Sequence, residues 1–166
     1  MTIILGVVFT GIYFLSQGSS YVLPSYLNRC LPLNAPLVYD SRPQLNITIN
    51  GSPMTVPANI GVTGTCVRPI HTFASIGTIY VETDVNRTYT LGDFFLVWGY
   101  SFGRVYSYFN QTRIFNYVAG NGHNLTMTVS EGLGAPPIPD SRFDKYPFPI
   151  DADTSYNPVM ISIVYQ

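Results

Sequence analysis

Leu45-Asn-Ile-Thr-Ile-Asn-Gly51 is the stretch that decides how this chain folds. Leu45, Ile47 and Ile49 point to one side of an extended backbone and Asn46, Thr48 and Asn50 to the other, so a period of two marks a half-buried β-strand. Asn50-Gly51 is a hairpin signal, because both residue types accept the left-handed backbone of a tight turn. Ser52-Pro53 is expected to make the turn longer than the two-residue kind, with 54–57 pairing back. The alternation recurs at Leu125, Met127 and Val129 against Asn124, Thr126 and Thr128. Further strands are expected at 78–83, 105–109, 113–118 and 159–165.

One helix is legible. Thr90 can cap 91–98, Asp93 stands at the third helical position of a capping box, and Gly99 reads as the stop. Its Phe94, Phe95, Val97 and Trp98 make it an apolar plug for a sheet. Residues 131–153 carry Pro136, Pro137, Pro139, Pro147 and Pro149, which predicts an irregular loop. The expected fold class is mainly β over residues 45–166: an antiparallel β-sandwich or curled sheet with one short capping helix.

Upstream, no charged side chain precedes Arg29, and residues 2–15 are nearly all apolar. As a helix, residues 1–16 would measure about 24 Å, a little under the usual hydrocarbon thickness of about 30 Å. The segment reads as a retained membrane anchor. A cleaved signal, with Gln17-Gly-Ser-Ser20 as the small-residue site, is the competing reading. A β-branched strand belonging to a folded domain is a third. Residues 17–44 contain Pro24, Pro32, Pro36 and Pro43, a density that blocks helix and central strand alike and predicts a semi-extended stalk.

Composition narrows the function classes. The chain has 166 residues, 10% charged, 14% aromatic, thirteen Tyr and a net charge of −1. That length suits one domain with an appendage. With one Lys and seven scattered Arg, such a surface offers no electrostatic pull on phosphates, so nucleic acid is not an expected partner. A neutral, Tyr-rich surface favours association with other protein subunits or with itself. Cys30 and Cys66 fit an exported protein as a single disulfide, which would stabilise by roughly 4 kcal/mol on the loop-entropy estimate. Two buried free thiols are the alternative.

Five Asn-x-Ser/Thr triplets begin at Asn46, Asn50, Asn86, Asn110 and Asn124. Roughly two would arise by chance under the pattern's false-positive rate. N-glycosylation needs a segment that has crossed a membrane, so all five predict an extracytoplasmic domain at the cell surface.

The stretches Leu45-Asn-Ile-Thr-Ile-Asn-Gly51, Val56-Pro-Ala-Asn-Ile-Gly61, Cys66-Val-Arg-Pro-Ile-His-Thr72, Gly77-Thr-Ile-Tyr-Val-Glu82, Tyr89-Thr-Leu-Gly-Asp-Phe-Phe95 with Trp98-Gly99, and Ile161-Ser-Ile-Val-Tyr165 resemble a group of uncharacterised archaeal extracytoplasmic proteins. The resemblance spans most of residues 40–166 and implies fold and location. In that pattern His-x-His precedes the first strand and His-Thr-His-Asp follows the second Cys, a set suited to a metal. Here Arg42 and Gln44 stand at the first pair, and Phe73 and Ala74 replace the second His and the Asp. His71 alone remains, too few for a three- or four-ligand site.

Catalytic groups are sparse. His71 and His123 are candidates for a ligand or base, read against a hydrogen-bonded strand-end residue and an exposed turn residue respectively. A Cys66–His71 nucleophile pair fails if the Cys is oxidised. Asp151 and Asp153, with Asp140 and Asp144 nearby, are weak candidates for Ca²⁺ without EF-hand spacing; a solvated loop with turn caps competes. Glu82 with Asp93 as a glycosidase-type pair is weakened by the capping role of Asp93. The aromatics Phe102, Tyr106, Tyr108, Phe109, Phe115 and Tyr117 suggest a carbohydrate or partner platform, half of it core. No cofactor is expected beyond that Ca²⁺. The leading expectation is a non-catalytic, membrane-anchored contact subunit of a surface or membrane assembly. A filament subunit joined by N-terminal strand insertion and a metal-binding or redox module are the alternatives.

Overall fold

The structure, a computed structural model, describes residues 21–32, 34, 36–149 and 157–166. The apolar segment 1–16 and the Ca²⁺ candidates Asp151 and Asp153 lie outside the described residues. Within them the protein is mainly β, with several antiparallel sheets and one helix. The largest sheet has five strands in the order β12 (Ile138–Pro139), β11 (Leu125–Ser130), β13 (Met160–Tyr165), β2 (Gln44–Ile49) and β3 (Ser52–Met54). A three-stranded sheet joins β1 (Tyr39–Ser41), β7 (Tyr80–Thr83) and β6 (Ile70–His71). Smaller ladders join β4 (Val62–Thr63) to β5 (Cys66–Val67), and β8 (Phe109–Asn110) through β9 (Arg113–Ile114) to β10 (Tyr117–Val118).

The predicted alternation holds in β2 and β11: Leu45, Ile47, Leu125, Met127 and Val129 are buried while Asn46, Asn124 and Thr126 are exposed. The pairing is not wholly antiparallel, however. β13 runs antiparallel to β11 but parallel to β2. Parallel neighbours need a long crossover, and the whole body of the chain lies between β2 and β13.

The β2–β3 turn also departs from expectation. Ile49 faces Ser52, so Asn50-Gly51 is a two-residue turn, with φ of 50° and 79°. Pro53 is therefore in the strand. It pairs with Thr48 at a position where its ring nitrogen faces the free edge, so its missing N–H removes no ladder bond. Pro139 sits alike in β12, opposite Thr128, next to the Asp140 N–H that donates to the Met127 carbonyl at 2.9 Å. Prolines thus blunt both edges of the five-stranded sheet.

The capping box forms as read. Thr90 accepts from the Asp93 N–H at 3.3 Å, Asp93 accepts from the Thr90 N–H at 3.0 Å, and α1 spans Leu91–Phe102. Gly99 does not stop it. A Cβ there would lie 2.5 Å from the Ser107 Cβ, so Gly99 is small to let the following 3-10 turn, Arg104–Ser107, fold back on the helix. That turn replaces most of the strand expected at 105–109, because Tyr106 stacks on Trp98 with ring centroids 5.4 Å apart. The strand expected at 113–118 is broken into β9 and β10 by Phe115-Asn116, with Phe115 at φ 53°.

The described residues of the Pro-rich segment 17–44 contribute side chains to the core. Leu23, Leu27 and Tyr39 are buried in the same core as Phe94, Phe95 and Trp98, and Cys30 is bonded to Cys66. Proline prevents regular structure here but not burial of the apolar side chains between the prolines. The Pro-rich segment after Ser130 likewise contributes Phe143, Tyr146 and Phe148 to the core.

Candidate functional site

Two regions collect what functional chemistry the described residues contain. The first is an ionisable corner on the β1–β7–β6 sheet. Register places Asp40 opposite Glu82 and His71 opposite Tyr80. His71 is fully buried, and its Nδ1 donates to the Arg68 carbonyl at 2.9 Å, so the lone pair is on Nε2. That Nε2 has no hydrogen-bond partner and lies 3.9 Å from Glu82 Oε2. Burial holds the His71 pKa down at about 4, and burial, reinforced by Asp40, pushes the Glu82 carboxyl up. At neutral pH the imidazole is therefore uncharged. Its ring lies against Tyr80 at 5.4 Å and edge-on to Phe73 at 4.6 Å.

Arg42 bonds Asp40 at 3.1 Å and stands over the Tyr80 ring at 5.4 Å. Arg42, Gln44, His71 and Phe73, the positions at which the resembling pattern carries His, thus gather around Tyr80. The residues present do not fit a metal. Arg42 brings a positive charge, Phe73 offers no donor atom, and no group of three His, Cys, Asp or Glu is poised for a cation among the described residues. His123 is exposed in the Gly120–His123 turn and stacks on Tyr165 at 5.3 Å. Asp140 forms an ion pair with Arg142, which holds its carboxyl below the usual range. Asp93 is occupied by its cap and by the Tyr26 hydroxyl, which donates at 2.8 Å.

Because Cys66 is disulfide-bonded, it has no thiolate, and the Cys66–His71 pair is not a nucleophilic couple.

The second region is a groove of about 520 Å³ between the β2–β3 hairpin and the 3-10 turn after α1. Ile49, Met54, Val105, Tyr106, Phe115 and Tyr117 form its apolar lining, and Asn50, Ser52 and Asn116 its polar rim. A second depression of about 290 Å³ continues it past Met54 and Tyr106 to Trp98 and Phe102. No charged residue lines either part. Phe115, buried at φ 53°, is held in a backbone conformation that costs a non-glycine residue roughly 1–2 kcal/mol. The aromatics named from sequence divide here: Phe109 and Phe115 are core, Tyr106 and Tyr108 half-buried, Phe102 and Tyr117 exposed. Met54, Val105 and Asn116 carried no sequence signal of a site; Met54 alone lies in the charge-free stretch 43–67.

All five acceptor residues, Asn46, Asn50, Asn86, Asn110 and Asn124, are exposed. Asn110 Oδ1 accepts from the Thr112 N–H at 2.9 Å and from its hydroxyl at 3.1 Å, an Asx turn inside the triplet. No helix among the described residues is long and apolar enough to cross a membrane. Comparison with known proteins gave no significant match to a family model, a curated protein or a solved structure.

Proposed function

We propose that this protein is a non-catalytic, N-glycosylated β-domain that works outside the cytoplasm as a contact subunit of a cell-surface or membrane assembly, with residues 1–16 as its attachment segment. The observation that carries this reading is the charge-free aromatic groove. A groove walled by aromatic and aliphatic side chains with an uncharged polar rim suits a protein contact, whereas among the described residues Asp93, Asp140 and Arg142 are engaged in a cap and an ion pair. The Cys30–Cys66 bond supports an oxidising compartment, and the exposure of all five acceptor Asn supports sugar attachment. The clustering of positions 42, 44, 71 and 73 supports the resemblance to the archaeal extracytoplasmic group, and with it location rather than metal chemistry.

Native mass spectrometry of the intact chain from its own cells tests the reading. Sugar mass on the acceptor residues, an intact disulfide and co-purifying subunits are expected. A sugar-free lone monomer would overturn it. The filament alternative is favoured by the same groove, but the edge prolines of β3 and β12 disfavour simple strand addition to the five-stranded sheet.

A further inference from the structure

We infer that the groove between the β2–β3 hairpin and the 3-10 turn Arg104–Ser107 receives the apolar segment 2–15 of a second copy of this chain, joining copies head to tail. The inference rests on the contact-subunit reading above and names the partner of that site. Three observations carry it.

The first is chemical match. The groove and its continuation present Ile49, Met54, Val105, Phe102 and Tyr106 with no charge among their lining residues. Residues 1–28 contain no charged side chain either. An apolar surface that meets a charged segment must desolvate the charge, at a cost of several kcal/mol; an uncharged, aliphatic segment avoids it.

The second is where the chain enters the domain. Tyr21, the first described residue, donates its hydroxyl to the Leu96 carbonyl and neighbours Arg104, Ser107 and Tyr108. Leu96 and Ser107 line the depression on one flank of α1, whereas Trp98, Phe102 and Tyr106 line the groove on another. The chain therefore comes in on one side and the groove opens on a different one. Twenty residues reach at most about 66–72 Å when extended, ample for a neighbour. Because donor segment and acceptor groove are different surfaces of one chain, the contact is heterologous, and repetition without closure gives a linear polymer.

The third is the build of the acceptor. Pro53 leaves the outer edge of β3 only a carbonyl at that position, so side-chain burial, not a long backbone ladder, holds the guest. Phe115 is held at φ 53° to place Phe115 and Tyr117 in the groove wall; sparsely populated backbone states of this kind concentrate at ligand-gripping sites.

The test uses the full glycosylated chain, a photo-cross-linking benzoylphenylalanine at position 116, and two charge variants, Tyr117→Asp and Phe102→Asp. Both varied side chains are exposed, so the thermal midpoint should stay within a few degrees of the parent. Expected are interchain products whose cross-linked peptide falls within residues 2–15, and a loss of association of about tenfold or more in each variant by sedimentation velocity. Intrachain cross-links, cross-links outside 2–15, or association unchanged in both variants would overturn the inference. Association unchanged in both variants would leave the contact-subunit reading standing, with another surface as the contact. A parent chain that stays monomeric at all concentrations and recovers no partner from its cells would remove both.

Discussion

The ionisable corner and the aromatic groove sit in one small domain, yet they dispose of their side chains in opposite ways. In the corner, polar groups neutralise one another: Arg42 answers Asp40, burial keeps His71 uncharged, and Phe73 and Tyr80 close around the imidazole. In the groove, aromatic and aliphatic side chains line an open surface with no charged residue among them. The difference teaches where to look for function. A buried imidazole beside a carboxylate has the composition of a catalytic pair, but the His71 side chain is fully enclosed and uncharged at neutral pH. The groove has no charged group in its lining, and it is the surface to which the contact-subunit proposal assigns a partner.

Four perturbations separate the two regions. Trp98→Ala has the largest expected effect, about 4 kcal/mol of lost stability, because it empties a buried ring stacked on Tyr106 and Phe95 and removes the wall between core and groove. Chemical denaturation measures it; a loss under about 1 kcal/mol would mean that the groove is not rigidly backed.

Acid titration probes the corner. His71 has a folded pKa of about 4 against 6.5 when unfolded, so its contribution is present above pH 6.5 and lost as pH falls toward 4. The full loss is about 3 kcal/mol. Glu82, with its pKa raised, works the other way, its contribution being present at low pH and fading as pH rises, and offsets part of this. Urea midpoints at several pH values should fall with acid in the parent and change less in His71→Phe. Equal slopes would show that His71 is not the acid-sensitive group.

Thr90→Ala removes the cap that orients α1 between the two regions and should cost about 1 kcal/mol, read as a lower thermal midpoint. Smallest is Tyr117→Asp, expected within about 0.5 kcal/mol of the parent because the ring is exposed. If it destabilises strongly, the groove is core that happens to be accessible, and the contrast between the regions fails.

Much of the framework was legible in the chain itself. The period of two found β2 and β11, since a side chain every second residue must face either core or water. The Thr90–Asp93 capping box was also visible, because it is closed within four residues. Less legible were the features set by distant contacts. Gly99 reads as a helix stop until Ser107 is seen pressed against it, and the β propensity of 105–109 yields to the stacking of Tyr106 on Trp98. The aromatic platform was visible as a composition, but its division between core and surface was not.

By itself, then, the sequence determined the strand faces, the cap, the exposure of Asn46 and Asn124 and the pairing potential of Cys30 and Cys66, all consequences of local periodicity, local hydrogen bonds or residue counts. Tertiary structure alone decided that Leu23, Leu27 and Tyr39 pack into the core, that β13 lies parallel to β2, that positions 42, 44, 71 and 73 meet around Tyr80, and that three separated segments enclose one groove. Those outcomes depend on which apolar surfaces reach each other across many intervening residues, and no short window of sequence carries that information.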